Sequence, residues 1–414
     1  MIKKFLSVIL TAGSIAFCSA EKFDLEVYAS KFDSIPVGVL EFLPAKGNAL
    51  SENVPGSIIA SDLDFCGRFH VIAKQAFDSA TFVSENIGIY IDGDYTVEGT
   101  SVVINCNLRD VATKDLIIGK TYKGELRQIR GMMHKYSNEI VEMLFGDEGI
   151  FESRFIYITA GGNARNVALM DFDGYNQKAI TNNGVINLFP AFTNKNGFIW
   201  TSYIKGRPNL YMGSVADGST KPFMASRGIE TSPDVSPIDG TIAYASSKSG
   251  NLDIYTCNPD ATGVKQLTVA YGVDTAPSWS PNGYQIAFTS DRSGNPQIYI
   301  MDADGANQRR LTFDLKYTDS PAWSPKGDKI AFMAMNEASK FDIWVISSDG
   351  SGAFKVTSMG GSSENPAWAP DGSMIAFTNT VGGKSNLYVV KADGSRLRQI
   401  TTSGDIKMPD WSGY

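Results

Sequence analysis

Short runs in which apolar and polar residues alternate fill the last two thirds of the chain. One such run, QIAFTS at 285–290, is rich in β-forming residues, and QIYIMD at 297–302 follows it after the loop DRSGN. Asn-Gly and Asp-Gly pairs stand next to these runs, as they do in tight hairpin turns. With PSWSP before them and RRLT after them, the runs predict a unit of four short antiparallel strands over residues 276–312.

The four-strand unit recurs six times with a nearly constant period. The proline of its first strand lies 43 to 45 residues from the next one, at Pro190, Pro233, Pro277, Pro321, Pro366 and Pro409. A turn aspartate keeps the same period at Asp173, Asp217, Asp260, Asp304, Asp349 and Asp393. Four strands in about 40 to 45 residues are typical of a β-propeller blade, which must bury both faces against neighbouring blades. The sequence therefore predicts a six-bladed β-propeller over residues 151–414.

The two ends of the repeat region predict how the ring closes. The first unit, which starts near Phe155, lacks its proline–tryptophan strand, and the fragment MPDWSGY at 408–414 is that strand alone. We therefore expect the C-terminal strand to complete the first blade. An aromatic or apolar residue recurs at one position of this strand in every blade, and we expect it to pack between blades. The set is Trp279, Trp323, Trp368, Trp411, Phe192 and Val235.

The region before the repeat has a different pattern. Residues 1–20 combine two lysines, a short apolar run and a small-residue end, which indicates a cleavable signal peptide. Residues 21–150 predict a separate α/β domain with a small mixed sheet, because apolar strands alternate with stripes of helical period. Residues 21–28 alternate apolar and polar side chains in the manner of an amphipathic strand. The predicted fold is thus an N-terminal α/β domain followed by a C-terminal six-bladed propeller, mainly β overall.

Composition limits the classes of function. The net charge of −7 and the lack of a clustered basic face argue against a nucleic-acid partner. No segment after residue 20 has about eighteen uninterrupted apolar residues, so we expect a soluble exported protein. We expect Cys66, Cys106 and Cys257 to be small core side chains, while a Cys66–Cys106 bridge stays open.

The chain offers few groups for catalysis. Both histidines, His70 and His134, precede the repeat, so the propeller cannot form a Ser-His-Asp triad or a histidine metal site. The Asp-Gly turns lack the glycine spacing of an EF-hand calcium loop, which favours ordinary hairpin turns. We therefore predict no enzymatic activity, no catalytic residue, no metal site and no cofactor. The alternative is a periplasmic hydrolase or lyase with an active site at the channel mouth.

Four stretches of the chain, together with the repeated Trp-Ser-Pro-x-Gly of the units, carry a family resemblance. They are IPVGVLEF, IASDLDFCGRFHVI, GDEGIFESRFIYIT and MDFDGYNQKAIT. In these motifs the chain resembles the TolB family, the periplasmic component of the Tol–Pal envelope system, over essentially its whole mature length. The N-terminal stretch EKFDLEVYASKFDS departs from the family in being more acidic, so we expect partner contacts there to differ in detail from those of the family.

The resemblance implies a periplasmic scaffold with two protein partners. Such a scaffold would hold the peptidoglycan-associated lipoprotein Pal on its propeller and TolA at its mature N-terminus. In this way it would support outer-membrane integrity and envelope constriction during cell division. Further outer-membrane or peptidoglycan-associated partners stay open, and we expect contact with a membrane only through partners. The TolA-binding residues implied are Glu21, Lys22, Phe23, Asp24, Leu25, Glu26, Val27 and Tyr28.

The loops between successive units indicate where a partner would bind. RGIETS, YGVDTA, KYTDS, GSSEN and GDIKM differ from copy to copy, unlike the turns at the opposite face. Packing does not dictate loops that vary within one chain, so they are available for recognition. By their match to the inter-blade loops of the family, the implied Pal-binding residues are Ile229, Ser232 and Thr275. Equivalent positions in the other loops add Thr231, Asp319, Ser320, Glu364 and Asn365 by the same geometry.

Overall fold

The structure, a computed structural model, describes residues 34–194 and 196–412. The chain separates into two compact units, Met1–Tyr136 and Ser137–Tyr414, which we call the N-terminal and C-terminal units. The expected signal peptide at 1–20 and the expected TolA-binding segment at 21–28 lie outside the described residues. No helix in the described part of the chain has the length and apolar character needed to cross a membrane.

The N-terminal unit contains a six-stranded mixed sheet. Its strands are β1 (Ile35–Leu40), β2 (Leu43–Lys46), β3 (Phe69–Lys74), β4 (Ile89–Glu98), β5 (Ser101–Asp110) and β6 (Leu116–Glu125). Its helices are α1 (Pro55–Cys66) and α2 (Ser79–Ser84), with a 3₁₀ turn at Leu126–Gln128, and the boundary between the two units falls within α3 (Ile129–Phe145). The sheet order is β3-β1-β4-β5-β6, and β2 pairs with β4. These elements confirm the α/β fold predicted for this region.

Local sequence explains how these elements form. Strand β1 is buried at every position because its apolar run IPVGVL lies between two parallel neighbours, β3 and β4. Helix α1 has Pro55 in its first turn and ends at Gly67, whose φ of 65° suits glycine. Strand β5 alternates buried and half-buried positions, so one face of the sheet is more tightly packed there than the other.

The C-terminal unit contains six four-stranded antiparallel sheets, numbered here as blades 1 to 6 with the innermost strand of each given first. Blade 1 holds β30 (Ile406–Ser412), β7 (Arg154–Gly161), β8 (Ala164–Asp171) and β9 (Lys178–Ala179). Blade 2 holds β10 (Asn187–Asn194), β11 (Gly197–Ser202), β12 (Asn209–Ser214) and β13 (Thr220–Met224). Blade 3 holds β14 (Glu230–Val235), β15 (Ile242–Ser246), β16 (Asp253–Cys257) and β17 (Lys265–Gln266).

The remaining three blades follow the same plan. Blade 4 holds β18 (Asp274–Trp279), β19 (Gln285–Ser290), β20 (Gln297–Asp302) and β21 (Arg309–Arg310). Blade 5 holds β22 (Thr318–Trp323), β23 (Lys329–Met335), β24 (Phe341–Ser347) and β25 (Phe354–Lys355). Blade 6 holds β26 (Ser362–Trp368), β27 (Met374–Val381), β28 (Lys384–Lys391) and β29 (Arg398–Gln399). The six sheets confirm the predicted propeller.

Blade 1 is built from two distant parts of the chain. Strand β30 pairs antiparallel with β7, with Trp411 opposite Phe155. The indole Nε1 of Trp411 donates to Ser153 Oγ at 2.8 Å, and its ring lies 4.6 Å from that of Phe155. The last strand along the chain therefore occupies the innermost position of the first blade, where it covers an edge of β7 that would otherwise be open.

The hydrophobic core of the C-terminal unit lies between blades. Trp279 of blade 4 packs in one cluster with Ala243 and Ile254 of blade 3. The clusters between blades 4 and 5 and between blades 5 and 6 repeat this arrangement around Trp323 and Trp368. This confirms the prediction that the recurring aromatic position serves inter-blade packing. The buried tryptophans at this position are Trp279, Trp323, Trp368 and Trp411.

The Asp-Gly turns use their carboxylates internally. Asp304 Oδ1 accepts the N–H of Ala306 at 2.9 Å, and Asp349 Oδ1 accepts that of Ser351 at 2.8 Å. Gly305 has a φ of 95°, a region that glycine enters without steric cost. These contacts confirm that the recurring aspartates form hairpin turns.

The cysteines behave as small core side chains, as predicted. Cys66, Cys106 and Cys257 are all buried, and Cys66 and Cys106 are not bridged to each other. Burial raises the pKa of the Cys257 thiol to about 12, which keeps it neutral.

Candidate protein-binding face

Two kinds of loop meet at one end of the propeller, which we call the loop face. One kind joins the outermost strand of a blade to the innermost strand of the next, and the other joins the second and third strands of one blade. Backbone bonds hold the two kinds together: the N–H of Ser247 donates to Ile229 O, and that of Met335 to Tyr317 O, both at 3.0 Å. The opposite end, the turn face, carries the Asp-Gly turns and the turns after the innermost strands.

Large apolar side chains are exposed at the loop face. Tyr271 is 100% exposed, Val269 is 85% exposed and Phe313 is 67% exposed. Single exposed apolar residues are common on protein surfaces, and the turn face has some as well, including Tyr284 and Ile238; those at the loop face lie in the loops that vary between blades, which makes this face a candidate contact site. The described residues in this group are Ile186, Ile204, Ile229, Val269, Tyr271, Val273, Phe313 and Val381.

The implied Pal-binding residues lie where the innermost strands begin, at the loop face. Ile229 is exposed in the loop before β14. Three of the others, Ser232, Ser320 and Asn365, also line the central channel. The structure thus places the eight residues along one arc of the ring, from blade 3 to blade 6. Thr231 and Ser232 lie in β14, Thr275 in β18, Asp319 and Ser320 in β22, and Glu364 and Asn365 in β26.

The residue before the blade proline has a left-handed backbone in every blade. Its φ is 51° at Ser232 and 53° at Ser320 and Asn365, and the strand register shifts at the same place. Proline cannot donate to the ladder and disfavours the right-handed helical region for its predecessor, so a β-bulge forms here. The alternation of apolar and polar residues does not predict this bulge, although a proline within a predicted inner strand is a signal for one. The other three positions are Phe189, Ala276 and Met408.

Threonines of the preceding blades hold two of these bulges in place. Thr201 Oγ1 accepts the N–H of Ser232 at 3.2 Å, and Thr289 Oγ1 accepts that of Ser320 at 3.2 Å. Thr289 Oγ1 also donates to Asp319 Oδ1 at 2.8 Å. Each such bond contributes about 1 kcal/mol when both partners are desolvated. The threonines therefore fix Ser232, Asp319 and Ser320 relative to the neighbouring blade.

The innermost strands enclose a cavity of about 830 Å³ on the axis of the ring. The segment 146–149 of the C-terminal unit contributes to its lining. None of the described residues that line the cavity is a lysine, arginine or histidine, so its charged groups are all acidic. The acidic lining residues are Asp147, Glu148, Asp234, Asp371 and Asp410.

Two of these carboxylates are half-buried acceptors that join blades. Asp234 Oδ2 accepts the N–H of Trp279 at 2.6 Å, and Asp410 Oδ2 accepts that of Phe192 at 2.9 Å. Burial, followed by the charge of Asp410, raises the pKa of Asp234 to about 7. Burial also raises the pKa of Asp410. Both groups thus have a structural use, and neither supports the alternative of a hydrolase or lyase, which needs a carboxylate directed at substrate.

A family model and two curated relatives that match this chain all carry the name TolB. A family model described as TolB beta propeller domain matches residues 141–414. The Tol-Pal system protein TolB of Desulfosudis oleivorans is 32% identical over 287 residues, which are 65% of this chain and 65% of that protein. The Protein TolB homolog of Chlorobaculum tepidum is 35% identical over 220 residues, 51% of this chain and 50% of that protein. The chain thus matches less than two thirds of the length of these curated relatives.

A solved structure extends the likeness beyond the propeller. The crystal structure of TolB from Acinetobacter baumannii superposes with a TM-score of 0.78 and covers 91% of this chain and 96% of that chain. The two sequences are 23% identical. At this identity the superposition shows a shared fold, with the α/β region and the propeller in the same order along the chain.

Proposed function

This chain belongs to the TolB β-propeller family, and on that basis we propose that it is a periplasmic binding protein of a Tol–Pal system. Its propeller would hold the lipoprotein Pal at the loop face, and its mature N-terminus would engage TolA. In this role it supports outer-membrane integrity and envelope constriction during division. Export by the signal peptide at 1–20 places it in the periplasm, where both partners are accessible.

The observation that carries the proposal is the group of exposed apolar side chains at the loop face. Tyr271 and Phe313 together with the valines beside Tyr271 leave apolar area in water at a face whose loops vary between blades. Burial of such area in an interface is favourable, and tyrosine is among the residues that carry most of the energy at protein contacts. A second protein covering the loop face would remove this area from water.

The loop-face end of the central channel, which we call the rim, has a rigid backbone that supports the same location for Pal. The bulges at Ser232, Ser320 and Asn365 are held in a defined backbone conformation, so a partner meets a rigid surface. A preformed surface loses little conformational entropy on binding. The eight implied residues, Ile229 to Asn365, line one arc of this rim. We therefore assign Pal to the rim and the loops around it.

The TolA site is proposed for residues 21–28. Phe23, Leu25 and Val27 alternate with polar residues there, which is the pattern of a segment that can add as a strand to the sheet edge of a partner. In such a contact the main-chain hydrogen bonds supply affinity, and the apolar side chains on one face supply specificity.

The proposal is tested by two isoleucines on opposite faces of blade 3. Ile229 lies on the loop face and Ile238 on the turn face, and both are exposed. We expect Ile229→Arg to weaken the binding of a purified lipid-free Pal domain at least tenfold by calorimetry. Ile238→Arg, which adds the same charge at a similar exposed site, should leave the affinity within twofold. Equal effects of the two variants, or no binding by the native chain, would contradict the proposed function.

A further inference from the structure

Four cationic side chains lie together on the loop face at blades 2 and 3. They occupy three loops: 203–208 between β11 and β12, 225–229 between β13 and β14, and 247–252 between β15 and β16. All four are exposed, and none forms an ion pair with any residue in the part of the chain that the structure describes. We call this group the basic sector, and its members are Lys205, Arg207, Arg227 and Lys248.

Hydrogen bonds between the loops make the basic sector one continuous surface. Arg207 Nη1 donates to the backbone oxygen of Arg227 at 3.0 Å, which joins the first loop to the second. The N–H of Ile229 donates to Ser247 Oγ at 2.9 Å, and the N–H of Ser247 donates to Ile229 O at 3.0 Å. The second and third loops are therefore also in contact.

The two acids at the loop-face ends of the blade 3 strands, Glu230 and Asp253, are directed inward and do not neutralise these cations. Glu230 is 1% exposed, and its carboxylate accepts hydrogen bonds from Ser246 Oγ and the N–H of Ser226. Asp253 is 1% exposed and accepts from Ser249 Oγ and from Gln266 Nε2. Neutral donors thus satisfy both carboxylates. Positive charge is concentrated at this surface although the whole chain carries a net charge of −7.

Apolar side chains are interspersed with the cations. Ile204 precedes Lys205 and Ile229 follows Arg227 by two residues, and both isoleucines are exposed. A surface that alternates apolar and cationic groups is complementary to a peptide that alternates apolar and acidic groups. We propose that the basic sector docks an acidic, apolar-bearing segment of the protein partner. The inference rests on the proposed function, since it specifies which part of Pal meets blades 2 and 3.

A protein segment fits this surface better than an anionic membrane does. Asp314, Glu337 and Asp405 are exposed in loops elsewhere on the same face. A flat bilayer approaching the loop face would bring its anionic headgroups close to these acids, within the Debye length of about 10 Å at 0.1 M salt. A peptide segment can lie on blades 2 and 3 alone, so it gains the attraction without the repulsion.

The test compares a pair of lysines in the basic sector with a pair at the opposite end of the same two blades. Lys205→Glu with Lys248→Glu reverses charge in the basic sector, and Lys221→Glu with Lys265→Glu makes the same change at exposed positions of β13 and β17, next to the turn face. The probe is a purified lipid-free Pal domain, with association rates measured by stopped flow at 50 and 300 mM NaCl. We expect the sector pair to slow association about tenfold at 50 mM NaCl and the control pair less than twofold. The difference should shrink at 300 mM NaCl because exposed charges are screened.

The other possible results of this experiment would overturn the inference, the proposed function, or both. Pal binding that both pairs slow equally, or that neither pair changes, overturns the inference and leaves the proposed function standing. Native protein that fails to bind Pal overturns both. A sector pair that loses binding to vesicles containing phosphatidylglycerol, while its Pal association stays native, assigns the surface to a membrane and overturns the inference.

Discussion

The Oδ2 atom of Asp234 in blade 3 accepts the backbone N–H of Trp279 in blade 4 at 2.6 Å. Asp410 in blade 1 makes the same contact with the N–H of Phe192 in blade 2 at 2.9 Å. In both cases the aspartate that follows the blade proline contacts the backbone of the residue at the recurring aromatic position, across the boundary between two blades. The ring is therefore held by polar contacts at its axis as well as by the tryptophan clusters between blades.

Replacing Asp234 by asparagine should stabilise the propeller at neutral and alkaline pH. Burial, followed by the charge of Asp410, raises the pKa of Asp234 to about 7, so the native state holds this proton more tightly than the unfolded chain does. The free energy of unfolding then falls as pH rises from the ordinary carboxyl pKa through about 7. Asparagine keeps an oxygen acceptor for Trp279 and does not ionise. We expect the unfolding free energy of the Asp234→Asn variant, measured with denaturant and relative to the native chain, to increase by about 2 kcal/mol between pH 5 and pH 8.

The matched control for this prediction is Asp349→Asn in an exposed turn. Hydrogen bonds from Ser351 lower the pKa of Asp349, so this carboxylate is ionised at both pH values in both states. The stability difference between this variant and the native chain should be the same at pH 5 and pH 8. An Asp234→Asn advantage that is equally constant would show that Asp234 does not titrate in this range.

Removing strand β30 should open the ring. Deletion of residues 406–414 takes away the partner of β7 and the indole of Trp411, which packs on Phe155 and bonds to Ser153. Loss of one buried tryptophan alone typically costs 3–5 kcal/mol, about as much as many domains have in total. We expect the cooperative thermal transition of the C-terminal unit to disappear and the exposed edge of β7 to cause aggregation, visible by size exclusion.

Deletion of residues 413–414 alone is the control, because β30 ends at Ser412. This variant should melt like the native chain and stay monodisperse. A 406–414 deletion that keeps the native melting temperature would show that β7 does not depend on its C-terminal partner.

The sequence repeat made the six blades predictable, but not the backbone bulges around the ring axis or the grouping of side chains from separate loops. Strand alternation and the proline period gave six blades and the closing strand, because both depend on local sequence. The bulge at Ser232 interrupts the alternation, so its burial to 8% exposure could not be read from the pattern. Likewise, the basic sector joins Lys205, Arg227 and Lys248, which are spaced along three separate loops. Only the hydrogen bonds between those loops, one from the Arg207 side chain and one between backbones, show that the three cations share one surface.

Replacing Thr289 by valine should weaken the contact between blades 4 and 5 and also the proposed Pal site at the rim. Its hydroxyl accepts the N–H of Ser320 and donates to Asp319 Oδ1, and valine removes both bonds at nearly constant volume, so that the Ser320 N–H keeps only its bond to Asp319 Oδ1. We expect a loss of about 1–3 kcal/mol in unfolding free energy and weaker Pal binding by calorimetry, since Asp319 and Ser320 belong to the proposed site. Thr289→Ser keeps the hydroxyl and should restore most of both quantities. Serine and valine variants with equal defects would assign the effect to packing instead.

Removing Glu21–Tyr28 should abolish TolA binding and leave Pal binding intact. The proposed Pal site lies in the C-terminal unit, far along the sequence from this segment, whereas the TolA site is proposed to be the segment itself. Binding by strand addition needs the apolar face, so Phe23→Asp with Leu25→Asp should be as harmful to TolA affinity as the deletion. Asp24→Asn with Glu26→Gln removes charge from the other face and should retain affinity within about threefold. Titration of each variant with TolA and with Pal separates the cases: loss of both partners, or TolA binding by the deleted chain, would contradict the assignment of TolA to this segment.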